Sequence, residues 1–185
     1  EKEGKYALRD EYFKTALINT PNLANAFEHS DYWGRPNFYK YPGYIEIMER
    51  GYINGIKIDS TSSMLKNNLA YLYASEGFNL DKALDLVNSS LAIDPNDYAA
   101  LDTKSWVLYQ LGHYDEAYDA FCKSQELTPQ GELDIIFSYH LGKIKLALGD
   151  SAEAKKCFEQ MFTMPEPNAE EMRYLEEVRG ILKEL

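Results

Sequence analysis

The sequence predicts an all-α solenoid, a stack of helix–turn–helix pairs that share one continuous core. Two observations carry that reading. From Tyr98 to Pro129 the chain spells two amphipathic helices around Gly112, with Pro129 as the stop. On the second of these helices Ala117, Phe121 and Ser124 fall at i, i+4 and i+7, one helical face. The same stripe recurs as Ala83, Val87 and Ser90, 34 residues upstream, and as Ala154, Phe158 and Met161, 37 residues downstream, and Pro95 precedes Pro129 by the same 34. A small residue beside a ring lets a neighbouring helix approach closely, and a two-helix unit has too little core to fold without copies of itself.

Taken in order, residues 1 to 21 read as the back half of a unit: Arg9, Phe13 and Ala16 keep the stripe spacing, and Pro21 follows at the usual offset. On that reading the first helix of the unit is missing and the chain is expected to be part of a larger polypeptide that extends upstream of Glu1; the alternative is a plain N-terminal helix. Asn22 to Tyr32 suits a short helix. Gly34 to Tyr44 suits a loop by its Gly and Pro content, and Tyr44, Met48 and Gly51 suggest a degenerate second helix. Ile53 to Asp59 alternates too briefly for a strand and reads as a connector. Ser62 or Ser63 can cap a helix that runs to Ser75, and Asp81 opens the next. In the central unit the first helix is expected from about Ala99 to Leu111, and the second from an N-cap at Asp115 to about Leu127. The 131–150 stretch supplies another first helix and the 151–162 stretch its partner, with a polar start at Ser151. After Pro165 and Pro167, Asn168 and Glu171 make a box-like helix start. Met172, Leu175, Val178, Ile181, Leu182 and Leu185 then line one face, with Glu170, Glu171, Glu176, Glu177 and Glu184 around the rest, as suits a helix that covers the end of a stack. The division follows: 1–59 a degenerate portion, 60–165 three units, 166–185 a capping helix.

The period, the mid-unit glycine and the closing proline make the chain resemble tetratricopeptide-repeat proteins. Leu69-Ala70-Tyr71-Leu72-Tyr73, Leu111-Gly112-His113-Tyr114-Asp115-Glu116-Ala117 and Leu141-Gly142 carry the resemblance. It implies a right-handed superhelix and a non-enzymatic module for protein–protein interaction. One subclass of that family clamps a C-terminal carboxylate with Lys, Asn and Arg on successive first helices. The corresponding wall here offers Asn67, Asn68, Asp102 and Lys143, lacks the arginine and carries the wrong sign at Asp102, so that clamp does not carry over.

The net charge of -11 and the absence of a Lys/Arg cluster argue against nucleic acid and against an anionic membrane surface. No apolar run is long enough to span a bilayer. The acidity chiefly serves solubility, and if it selects a partner it selects a basic one. Cys122 and Cys157 lack metal-ligand spacing, and His29, His113 and His140 stand apart from cysteines, so neither a metal nor a cofactor is expected. No nucleophile elbow or phosphate loop occurs, and the carboxylates are scattered over helix surfaces; an enzyme is not expected.

What a helix stack offers is a concave wall lined by its first helices, suited to a peptide or a partner protein. Counted from the turn glycines, the residues expected there are Asn67, Tyr71, Asp102, Trp106, Tyr109, Tyr139 and Lys143. Trp106 and Tyr109 are expected to be exposed, since Leu101, Val107, Leu108 and Leu111 already supply apolar packing. A fully buried Trp106 would sink the wall assignment and make the ring-rich segment 32–44 the better candidate, as a small-ligand or glycan site.

Overall fold

A computed structural model describes residues 43–129, 134–164, 167 and 169–185. The expectations placed on residues 1–42, including all of the aromatic segment except Gly43 and Tyr44, and the Asn168 cap lie outside the described residues. Among those described there are eight helices and no strand: α1 (Tyr44–Ile58), α2 (Ser63–Glu76), α3 (Leu80–Leu91), α4 (Tyr98–Gln110), α5 (Tyr114–Leu127), α6 (Ile135–Ala147), α7 (Ser151–Met161) and α8 (Ala169–Ile181). The helices pack most extensively in the pairs α2/α3, α4/α5 and α6/α7, each a helix–turn–helix unit of the stack. This is an all-α repeat solenoid.

Each first helix is started by a side chain that takes up an orphan backbone N–H. Ser62 Oγ accepts from Leu65, Asp97 Oδ1 from Ala99 and Ala100, and Asp134 Oδ1 from Phe137. Each ends the same way. Gly77, Gly112 and Gly149 adopt φ of 71°, 83° and 83°, and the residue after each glycine returns its N–H to a carbonyl five residues back: Phe78 to Tyr73, His113 to Leu108, Asp150 to Lys145. The chain thereby reverses into the second helix. In the central unit that helix begins at Tyr114, with His113 at the cap position two residues before the expected cap Asp115 and no side-chain cap bond. In the last unit Asp150, not Ser151, does the capping, accepting from Glu153. Ile53 to Ile58, expected as a connector, instead continues α1, because Tyr52 is buried and Ile53 and Ile56 pack beside the main core on that same helix.

The stripes read from the sequence are the seams of the stack. Ala83, Val87, Ala117, Phe121, Ala154 and Phe158 have no solvent exposure at all. Their serines also carry a repeated bond: Ser90 Oγ donates to the Ser63 carbonyl at 2.8 Å and Ser124 Oγ to the Tyr98 carbonyl at 2.7 Å. Each ties the end of a second helix to the start of its own first helix. In the last unit Met161 stands at that position and fills it by packing alone.

The tightest approach is at Gly142 on α6, where a Cβ would lie 2.4 Å from the Phe158 ring. A buried ring held on all sides cannot retreat, so the clash outweighs the roughly 1 kcal/mol that alanine gains over glycine in a helix. Gly142→Ala is expected to lower stability by about 1–2 kcal/mol in chemical denaturation; a gain in stability would show that α6 and α7 can separate freely. At the preceding seam, Ala117→Leu is expected to cost about 1–3 kcal/mol through overpacking, and an unchanged melting temperature would contradict the register.

Candidate functional site

Positions one unit apart fall together on the wall of first helices. Asn67, Asp102 and Tyr139 are equivalent positions on α2, α4 and α6, and so are Tyr71, Trp106 and Lys143. Tyr109 lies one turn beyond Trp106 on α4. Trp106 contacts Tyr109 and Tyr139, Lys143 lies over the Tyr139 ring, and Tyr71 and Asp102 join them through His140, but not all of these residues are in the exposed state expected of them.

Trp106 is 3% exposed and Tyr139 3%. The expected accessibility of these two rings is corrected, and the reason is lateral stacking along the wall. The Trp106 indole lies face to face with His140 on α6 (centroids 4.3 Å, planes 13° apart) and with Tyr109 on its own helix (4.7 Å, 5°), and Tyr139 meets it at 5.5 Å. Apolar residues elsewhere on α4 do not remove the need to fill the space between α4 and α6, and the indole fills it. Asn67 and Asp102 are buried as well, while Tyr71, Tyr109 and Lys143 remain half-buried.

Beneath this stack lies a pair the sequence reading did not make. His140, wholly buried, places Nδ1 2.9 Å from Oδ2 and 3.1 Å from Oδ1 of Asp102. The carboxylate accepts, so Nδ1 donates. The Asp102 charge is thus held by a neighbouring unit and does not face a ligand. Nε2 of His140, Nε1 of Trp106 and Oδ1 of Asn67 are buried without a hydrogen-bond partner, a costly state for polar atoms and an uncommon one.

The larger surprise is what lies across the wall. The terminal helix α8 spans it from α2 to α6. At one end Arg173 Nη1 donates to Glu76 Oε1 at 2.9 Å, and Nη2 reaches the Ser75 carbonyl at 3.4 Å. In the middle the Tyr174 ring stacks on Tyr139 (4.3 Å, 28°), and its hydroxyl lies 3.4 Å from that of Tyr71. At the other end Glu177 accepts from Lys143 Nζ and from the Tyr139 hydroxyl, both at 2.8 Å. Burial, and then the Glu177 carboxylate, push the Tyr139 phenol well above its ordinary pKa. Tyr174, Leu175 and Val178 are buried. In the last turn Arg179 sits over the Phe162 ring, 5.5 Å from its centroid. The helix expected at the end of the stack lies instead along the first helices, with contacts to α2 and α6. The signal for it was available in Tyr174, a ring inside a face otherwise read as aliphatic, and in Arg173 and Glu177, which are one turn apart with opposite charge.

No group of side chains able to hold a metal occurs among the described residues. Burial raises the Cys157 thiol pKa, and both cysteines are free. Among the described residues no helix is long and apolar enough to cross a membrane.

The family model for the tetratricopeptide repeat matches residues 98–130 and 137–166, which are the α4/α5 and α6/α7 units. These two units are tetratricopeptide repeats. Solved structures of similar fold include a tetratricopeptide repeat protein from Parabacteroides merdae (17% identity over 90% of this chain and 71% of that one, TM-score 0.56). YrrB, described as a TPR protein with an unusual peptide-binding site, is 21% identical over 74% of this chain and 70% of its own, with TM-score 0.52. MamA is 16% identical over 77% of this chain and 82% of its own, with TM-score 0.51. No curated protein matches the chain. Tetratricopeptide repeats serve in general as modules for protein–protein interaction.

Because Trp106 is a packing residue, its truncation is expected to act on folding. Trp106→Ala should cost about 3–5 kcal/mol in chemical denaturation, in the same range as Phe121→Ala. A cost below about 1 kcal/mol would show that the indole is a surface ring after all.

Proposed function

We propose that this chain is a non-enzymatic interaction module that holds a peptide or helical segment of a partner protein on the wall formed by α2, α4 and α6. The observation that supports this reading most is α8 itself: the wall already grips a helix through an ion pair at each end and stacked rings between them. The buried Trp106 is the outcome set against a wall anchored on exposed rings, and the alternative segment 32–44 lies almost wholly outside the described residues; the proposal therefore rests on α8 and on the half-buried Tyr71, Tyr109 and Lys143. The peptide-binding site named for YrrB shows no more than that this fold elsewhere serves such a role. A net charge of -11 favours a segment with basic residues, whose association would slow as salt is raised.

The test is site-specific photo-crosslinking in the full chain. A crosslinker at Tyr109 or Lys143 is expected to capture the partner, and one at Glu126, exposed on the second helix α5, is not. Tyr109→Ala should weaken binding tenfold or more, about 1.4 kcal/mol. Capture from Glu126 alone would move the site off the wall.

A further inference from the structure

The contacts of α8 are spaced like a recognition code. Within one turn and a half it presents a cation, a ring and an anion, Arg173, Tyr174 and Glu177, with Val178 buried beside them. The wall answers each in order: Glu76 at the α2 end, Tyr71 and Tyr139 in the middle, Lys143 on α6. The match is directional, since a helix laid the other way would set Arg173 towards Lys143 and Glu177 towards Glu76. The match also involves side chains of two units that are not adjacent, so it reads the whole width of the wall. At the same time the ion pairs are not sealed. The side chains of Glu177 and Arg173 are 44% and 30% exposed, and those of Lys143 and Glu76 about half that. Pairs of this kind are weak and exchange readily with water.

We propose that α8 is an internal stand-in for the partner. The wall takes an amphipathic α-helix from a different protein that carries an arginine followed by an aromatic residue and, three residues after the ring, an acid. That helix enters by displacing α8. The proposal rests on the wall reading above and adds the partner's chemistry and its regulation. An attached helix competes at a high effective concentration, so it lowers the apparent affinity for any outside segment until it is released. Charge complementarity selects the occupant: the wall is acidic at one end and basic at the other, and a segment of uniform charge matches only half of it. Helix-in-groove recognition through anchors at i, i+1 and i+4 uses the same physics that seats α8.

The experiment uses the full chain and a synthetic peptide with the sequence of residues 169–185. Arg173→Glu with Glu177→Lys reverses both ends of the resident helix and leaves the wall and the net charge unchanged. This chain is expected to bind the labelled peptide at least tenfold more tightly than the unaltered chain does, by fluorescence anisotropy. Adding Glu76→Arg and Lys143→Glu restores the match to the resident helix and should close the wall again, so that the native peptide is excluded. Equal affinity for the unaltered and doubly reversed chains overturns the proposal. So does failure of a folded, doubly reversed chain to bind, or its conversion to a dimer by light scattering, which would make a second copy the occupant. If the reversed chain does not fold, the unaltered chain decides. With the peptide in large excess, amide hydrogen exchange in residues 169–181 should accelerate at least several-fold, and unchanged exchange overturns the displacement. Should α8 prove fixed while partner crosslinking still maps to Tyr109 and Lys143, the displacement fails and the interaction wall stands.

Discussion

The structure depends on close approach between helices at positions where one of them has almost no side chain. Ala117 and Ala154 remove bulk from the second helices, and Gly142 removes it from α6 where the Phe158 ring enters. Rings then fill the seam: Phe121 meets Phe137 of the next unit at 4.4 Å, and Trp106 fills the gap between α4 and α6. Burial of such side chains contributes roughly 1.5–3 kcal/mol each, which no single helix pair could collect alone. The order of the units follows, since each ring needs the small residue of a partner helix beside it. So does the position of the wall: with the second helices committed to the seams, the first helices are left to face α8.

This explains why the repeats were legible in the sequence and the site was less so. A seam imposes a residue-size pattern at fixed spacing, and the stripes at Ala83, Ala117 and Ala154 displayed it. The serines of two stripes proved to carry a second function, closing each unit onto its own first helix through Ser63 and Tyr98 carbonyls. The wall imposes no such pattern. Trp106 was assigned to solvent because α4 had enough leucine and valine to pack its other side, but the helix is buried on both sides: Leu108 and Trp106 are each nearly inaccessible. An inventory of apolar residues on a helix does not say how many neighbours it has. Asp102 was likewise read as a charge facing a ligand, when its partner His140 lay a full unit away in sequence, beyond the reach of local spacing arguments.

The terminal helix shows the same limit more sharply. Its apolar face and its acidic remainder were plain, and they said that it covers something. They did not say which surface. A helix that merely closed the end of the stack would need aliphatic side chains against α6 and α7 and little else. The Arg173, Tyr174 and Glu177 contacts with α2 and α6 are what distinguish a helix laid across the wall, and each is an ordinary residue until its partner is known. Tyr139 is the joint between the two arrangements. It packs against Trp106 below and Tyr174 above while donating to Glu177, so the buried stack of the solenoid continues directly into the helix lying on it.

That continuity sets what the proposed release of α8 would uncover. The Tyr174 ring, Leu175 and Val178 belong to the same apolar cluster as Trp106 and Phe158, so removing the helix uncovers Tyr139 and part of the core. An uncovered wall of this kind is unfavourable in water, and the exposed rings must find another apolar face. The polar contacts at the two ends are partly open to solvent and contribute less than the buried rings to holding the helix, and in the proposed exchange they would decide which helix fits. In the proposed exchange, affinity and selectivity would be carried by different residues: Tyr71, Tyr139 and the aliphatic floor for the first, Glu76 and Lys143 for the second. A competing helix has to reproduce both sets to take the place of α8, and one that matches only the rings would bind without regard to direction.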